Sequence, residues 1–382
     1  MQSSYLQTHQ ALCDVITDKD ALFFNDVRPE NLEAFFQCAE QHGLANLTYS
    51  KLIKHNIALK GLSKSYEAQS LLARAWEAKH CELLATVLNR FAEHNITPLI
   101  FKGTALAYSH YEQPIFRERG DSDLLISRQD YELAHRLLLE IGFSTYLIAA
   151  GVHNFTERDF VYVDDFSQKH HIDLHVQINA APFLNTSFSY DVLMASSDLI
   201  QIGGVDAHIF SKPDALAIAA YHYHYSLVGS YKKSTESPAS LYNLRWVFDM
   251  HLLAESFSSA DWDKLLIKSQ ESGLCGSTYS GLKLTQEFFN TAIPKAVLAT
   301  LLQAGRSGKV DRFLWSSHNV RLCMMAFNQP SLKRKSSYIR DLFFPDKTYI
   351  YHQYKDIRPN WLPYLYLRRI FSGVRKRLRL RP

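Results

Sequence analysis

An α/β fold, in which a small mixed sheet is flanked by N-terminal and C-terminal helical regions, is the architecture this sequence predicts. Three observations carry that expectation. Apolar residues recur at helical spacing through the first ninety-odd positions. Short apolar runs then alternate with a helix and glycine-containing turns between positions 96 and 178, and from Pro213 onward the helical period returns. The length of 382 residues suggests two or three domains, and 47% hydrophobic with 21% charged residues is a globular balance.

Residues 31–41 follow Arg28-Pro29 and put Leu32, Phe35, Phe36 and Ala39 on one helical face. Residues 63–94, free of internal proline and glycine, predict a longer helix. Its stripe of Leu72, Ala75, Trp76, Lys79, Leu83, Val87 and Phe91 is expected to face the core, with His80 and Glu82 toward water. ITPLIF, ending at Phe101, reads as a strand whose first part Pro98 keeps unpaired or at an edge. Lys102-Gly103-Thr104 breaks the run, ALAYSHY reads as a helix, QPIFRERG as a loop and DSDLLI as a second strand. A helix over 131–141 ends at Gly142. Residues 156–178 read as a hairpin with arms RDFVYVDD and HHIDLHVQI, the second presenting Asp173, His175 and Gln177 on one face. Residues 182–198 look irregular or partly helical, and HIF before Lys212-Pro213 suits a short strand. Helices are expected over 213–225, 241–256, 262–269, 279–290 and 295–303. These segments divide the chain into an N-terminal helical region (1–94), an α/β core (95–185), a mainly helical domain (186–345) and an extended basic tail (346–382).

The five cysteines lie far apart and form no CxxC pair, which argues against a disulfide framework or a cysteine-rich zinc site and fits a reducing, cytoplasmic setting. The start of the chain lacks the pattern of a signal peptide, and no run of about 18 apolar residues suggests a membrane span. Residues 368–382 carry seven basic side chains and no acid, so a net charge of +4 becomes −3 without them. The basic character is local, which speaks against a broad nucleic-acid face, and the tail itself reads either as a solvated arm or as a contact for an anionic surface: anionic lipid with peripheral attachment to a membrane, nucleic acid or an acidic partner.

Asp121 and Asp123, two residues apart on a strand, point to one side, where their repulsion calls for a positive partner: an arginine or a metal ion. Gly103 opens a helix directly after a strand, and the unpaired N–H groups of such a helix start suit a phosphate. Thr104 adds a hydroxyl, and Lys102 either reaches the phosphate or points away. Asp173 supplies a third acid by strand alternation, and three carboxylates beside a phosphate turn can hold a divalent metal. Arg117 is expected at the site as a phosphate contact or as an organiser of Asp121. His175 reads equally as a substrate contact or a satisfied structural histidine. His170-His171 point opposite ways, and the YHYHY run at 221–225 lacks an i, i+4 histidine pair with a glutamate, so neither suggests zinc. His222 is expected to line the acceptor side of the cleft. Trp246 and Asp249, one helical turn apart, are expected to pack and orient a neighbour.

The segment FKGTALAYSHYEQPIFRERGDSDLLIS resembles the nucleotidyltransferase superfamily related to DNA polymerase beta, and more closely a bacterial family of uncharacterised nucleotidyltransferases. The matching elements are Lys102-Gly103, Tyr111, Arg117, Asp121-x-Asp123-Leu124-Leu125, the acid-x-histidine pair Asp173 and His175, and Leu244, Trp246 and Asp249 downstream. Thr104 stands where the superfamily has serine or glycine, and Val176 where close members often have tryptophan. The resemblance implies a polymerase-beta-like core with Asp121, Asp123 and Asp173 as catalytic residues and ligands of Mg²⁺ or Mn²⁺. It implies that Lys102, Gly103, Thr104 and Arg117 bind a nucleoside triphosphate such as ATP. Tyr111, His175, His222, Trp246 and Asp249 then lie around the substrate. The implied reaction moves a nucleoside monophosphate to an acceptor hydroxyl on a small molecule, sugar or protein. Alternatives are a phosphotransferase on the same site and an inactive interaction protein of the same fold.

Overall fold

The computed structural model describes residues 2–19, 29–55, 63–145, 156–179, 183–184, 186–230, 243–329, 331–355, 357 and 361–378. Four helices come first: α1 (Gln2–Ile16), α2 (Pro29–Gln41), α3 (Ala45–Lys54) and the long α4 (Ser63–Ala92). The α/β part follows as β1 (Leu99–Phe101), α5 (Lys102–Ser109), β2 (Asp121–Leu125), α6 (Tyr131–Ile141), β3 (Glu157–Val163) and β4 (Lys169–His175). After α7 (Tyr190–Ala195) come β5 (Asp198–Ile202) and β6 (Val205–Ile209). The rest is helical: α8 (Lys212–Ser230), α9 (Leu244–Glu255), α10 (Ser259–Ser272), α11 (Cys275–Phe289), α12 (Lys295–Ala304), α13 (Lys309–Trp315), α14 (His318–Phe327), α15 (Leu332–Phe343), α16 (Lys347–Gln353) and α17 (Leu362–Leu378).

The six strands form one mixed sheet in the order β3-β4-β2-β1-β6-β5. β2 runs antiparallel to β1 and parallel to β4, and β6 runs parallel to β1. The sheet thus draws on residues beyond position 185, where the sequence suggested that the core ends. The β5–β6 hairpin turns on Gly203-Gly204, both at positive φ, and this two-residue turn between alternating runs was a legible hairpin signal that the sequence reading missed.

Strand alternation sorts the two faces. Ile100, Leu124, Phe160, Ile172 and Leu174 pack against Leu84, Val87, Leu88 and Phe91 of α4 and against α6. Leu99, Phe101 and Leu125 face the other way, into a core shared with α8 to α13. Asp121 and Asp123 fall on this second face, since they alternate in step with Leu125. A third core joins α1, α2 and α3 to α8 and α9 and takes in Ile115 and Phe116, which fixes the loop before Arg117.

Three sequence expectations need correction. His80 is buried, with Nε2 2.7 Å from Ser122 Oγ, whereas Leu72 is exposed: the buried face of this half of α4 is the one that carries Tyr66, Ser70, Glu77 and His80, with Tyr66 stacked on Phe36 of α2, and the side with Leu72 and Ala75 faces water. The stretch after 345 is not an extended arm, because α16 and α17 occupy most of it. Pro363 sits in the first turn of α17, where its missing N–H costs nothing, and the following leucines and arginines are good helix formers. Arg379 and Arg381 of the tail, and most of the polar connection at 229–240, lie outside the described residues.

Candidate active site

The site begins at the end of β1. Phe101 is extended and makes no side-chain cap for α5, so the first N–H groups of α5 keep their donors for a ligand. Lys102 takes φ +55°, a left-handed conformation that costs a non-glycine residue about 1 kcal/mol or more. That turn aims its ammonium at β2, where Nζ lies 2.6 Å from Asp123 Oδ1. Gly103 follows; a Cβ there would meet the Arg117 guanidinium at 3.6 Å.

Parallel pairing of β2 with β4 sets Asp123 opposite Asp173 and Asp121 opposite His171. The antiparallel β3 then sets Asp159 opposite Asp173 and Glu157 opposite His175. One face of three adjacent strands therefore collects five carboxyl groups. Asp123 is buried, and His175 Nε2 lies 2.9 Å from the Oδ1 that Lys102 also contacts. Burial alone would raise the Asp123 pKa, but the Lys102 charge and the His175 hydrogen bond outweigh it and hold the carboxyl well below its usual range. Burial and the charges of Asp123 and Asp121 push the Asp173 pKa up to about 7. Asp121 is exposed to the cleft; burial by the cleft walls and the charge of Asp123 raise its pKa.

Ligand atoms of Asp123, Asp173 and His175 lie within 4.8 Å of one another, close enough to share one divalent cation, with His175 a ligand only once its Nε2 gives up the proton it donates to Asp123. Asp121 stands on the same strand face but outside this group, so the compact trio differs from the expected Asp121, Asp123 and Asp173. The Lys102 ammonium against Asp123 marks the demand for positive charge at this spot. A second cluster, His9, Cys38 and His42, lies among the N-terminal helices. There the Leu244 N–H points at His42 Nδ1 from 3.4 Å, which leaves the proton on His42 Nε2, donated to His9 Nε2 at 3.0 Å. That tautomer suits a histidine pair better than a metal ligand.

Arg117 is buried and bound side-on by Asp249, with Nε 2.7 Å from Oδ1 and Nη2 2.8 Å from Oδ2. Tyr111 donates its hydroxyl to the same Asp249 Oδ1 at 2.8 Å. Asp249 thus fixes the guanidinium beneath Gly103. Thr104 turns its hydroxyl inward, within hydrogen-bond reach of the Asp121 carbonyl, Ser122 Oγ and Arg119 Nε, so any phosphate contact by this residue falls to its backbone. Arg119 in turn pairs with Glu77 at 2.8 Å.

These groups open onto a cleft of ≈ 1360 Å³ between the acidic sheet face and α8 and α9, lined by Lys102, Gly103, Arg117, Asp121, Asp123 and Asp173, and by His222, Trp246 and Asp249 across from them. The His222 ring meets Trp246 edge-on at 4.8 Å, and burial, with help from the Lys102 charge, lowers its pKa to about 4, so it is neutral near pH 7. Sequence reasoning did not single out Glu157, Asp159, Lys212 and Arg245, and it considered His171 only for a zinc site that it set aside; all five also line the cleft. Alternation along ERD, opposite DLH, was the available signal for the first two.

A mixed sheet that presents clustered carboxylates beside a glycine turn and an open helix start has the architecture of the polymerase-beta-like nucleotidyltransferases. The sequence profile of the family described as "uncharacterised nucleotidyltransferase" matches residues 28–290, and the chain belongs to that family. Among solved structures, an antigenic nucleotidyltransferase-like protein from Paracoccidioides brasiliensis is similar at 16% identity over 59% of this chain and 93% of its own, with a TM-score of 0.37, too distant a likeness to carry an argument. None of the curated proteins compared matches the chain.

Proposed function

We propose that the protein transfers a nucleoside monophosphate from a nucleoside triphosphate such as ATP to a hydroxyl of a small molecule, sugar or protein, in the cytoplasm of a bacterial cell. The observation that carries this reading is the convergence of Asp121, Asp123 and Asp173 with the uncapped start of α5 on a single cleft. A bound Mg²⁺ or Mn²⁺ supplies charge neutralisation for the phosphates and acidifies the acceptor hydroxyl. Asp123 and Asp173, with Asp121 or His175, would hold it. Gly103 and the following N–H groups cradle the outer phosphates, and Lys102 moves from Asp123 to a phosphate oxygen once the carboxylate has a cation. Asp173 accepts the acceptor proton. The acceptor oxygen bonds to the α-phosphorus as the bond to the bridging oxygen breaks, and pyrophosphate leaves with that electron pair. His222 and Trp246 shape the acceptor side.

One observation favours the inactive reading: Lys102 already neutralises Asp123. A single ammonium cannot balance three or more carboxyls, and the raised Asp173 pKa reflects that shortfall. The test incubates the protein with Mg²⁺, cell extract and triphosphates labelled at either the α- or the γ-phosphorus. Nucleotidyl transfer leaves only α-label on the acceptor, and Asp123→Ala, still folded, abolishes it. Retained γ-label identifies a phosphotransferase, and no label in either case supports the inactive reading.

A further inference from the structure

Helix α15 is built inside out. Its buried positions are Ser337, Tyr338 and Asp341, while Leu332 (82% exposed), Ile339 and Phe343 line its outer face at i, i+7 and i+11. Helix α17 repeats the pattern more weakly. Leu365 is fully buried and Tyr366 is tied to the Pro345 carbonyl, but Leu367 and Phe371 (69% exposed), one turn apart, look outward beside Arg368 and Arg375. The Phe344 ring, just past the end of α15, meets Tyr366 edge-on at 5.5 Å, which joins the two helices at the end of the α15 stripe. Burying apolar side chains is the main gain of folding, so a helix that keeps them outside calls for a surface to cover them.

Charge identifies that surface. Residues 331–382 hold fourteen lysines and arginines against three acids, a net +11, which leaves −7 on residues 1–330 of a chain whose total is +4. Helix α17 contains no acid. The covering surface must therefore be anionic and apolar at once. A nucleic acid offers phosphates but nothing for Leu332, Ile339 and Leu367. A bilayer with anionic headgroups offers both, and aromatic side chains such as Trp361 and Phe371 suit its interface. No described helix is long and apolar enough to cross a membrane, which is consistent with lying on one.

We infer that α15 and α17 form a docking surface for an anionic phospholipid membrane. The docking itself does not depend on the catalytic reading.

The experiment sediments the full chain with vesicles of phosphatidylcholine alone or with an equal part of phosphatidylglycerol. Each basic side chain near an anionic surface adds about 1 kcal/mol, so several together should raise binding by about a hundredfold over neutral vesicles, and added salt should lower it. The double variant Leu367→Gln, Phe371→Gln, at exposed positions, should lose about tenfold or more in affinity with unchanged circular dichroism. Quenching of tryptophan fluorescence by brominated anionic lipid, lost in Trp361→Phe, would support insertion without relying on the double variant. Equal binding to both vesicle types, or to neither, would overturn the inference. So would binding to RNA that resists the glutamine substitutions, or a concentration-dependent dimer that those substitutions dissolve while vesicle binding is absent.

Discussion

Asp123 and Asp173 face each other across the parallel β2–β4 pair, and their surroundings drive them in opposite directions. Asp123, in contact with Lys102 and His175, stays ionised far below its usual range, whereas Asp173 has its pKa pushed up to about 7. Such a split separates a permanent anion from a group that can exchange a proton near neutral pH.

That split has a pH signature in the metal-free protein. The Asp173 pKa is higher folded than in an unfolded chain, where it is near 3.8, so the unfolded state binds fewer protons between those values. The Asp173 contribution to stability is fully present below about pH 4 and is lost as pH rises through about 7. Asp173→Asn should flatten this part of the stability profile and raise the melting temperature of the chelated protein near pH 8, while abolishing transfer. Thermal melts in EDTA between pH 5 and 8 check it.

Lys102 does in the metal-free protein what a cation would do. Lys102→Met leaves the buried Asp123 with only His175 as a close partner among the described residues and should cost about 1–3 kcal/mol without metal. Added Mn²⁺ should recover more of the melting temperature in the variant than in the parent, because no ammonium competes for Asp123. Paired melts with and without Mn²⁺ measure the difference.

The buried Arg117–Asp249 pair should resist replacement of one partner. Asp249→Ala strands a guanidinium and the Tyr111 hydroxyl, at a cost of about 3–5 kcal/mol. Arg117→Met combined with Asp249→Leu should recover part of that stability but not nucleotide affinity. A double-mutant cycle by denaturant unfolding reports the coupling.

Thr104 separates two roles within the phosphate turn. Thr104→Val removes the hydroxyl from its contacts with Ser122 and the Asp121 carbonyl and should cost about 1–3 kcal/mol. Nucleotide affinity, measured calorimetrically on the folded variant, should change less than in Lys102→Met.

Much of this site was legible in the sequence for a physical reason. A strand places alternate residues on one face, so DSD and DLH announce Asp121, Asp123, Asp173 and His175 as soon as both runs read as strands. The order strand, lysine-glycine turn, helix likewise predicts an anion site at α5. Contacts between distant elements carried no such local signal. Lys102 reaches Asp123 because of one left-handed residue, which the sequence does not display. Asp249 meets Arg117 through the packing of α9 behind the loop, 132 residues away. Alternation could have added Glu157 and Asp159, but only once the register of β3 with β4 was known. The burial of His80 depends on where α4 crosses the sheet, which helical periodicity alone does not fix.

The central claim is that clustered carboxylates on the β2–β4 face trap a divalent cation that in turn recruits a triphosphate. Electron paramagnetic resonance of Mn²⁺ titrated into the folded protein, with and without a nucleoside triphosphate blocked at the α–β bridge, tests it most directly. The account predicts bound Mn²⁺ that tightens with nucleotide, and loss of both in Asp123→Asn and Asp173→Asn. Nucleotide binding that is indifferent to Mn²⁺, or Mn²⁺ binding that survives both substitutions, would contradict it.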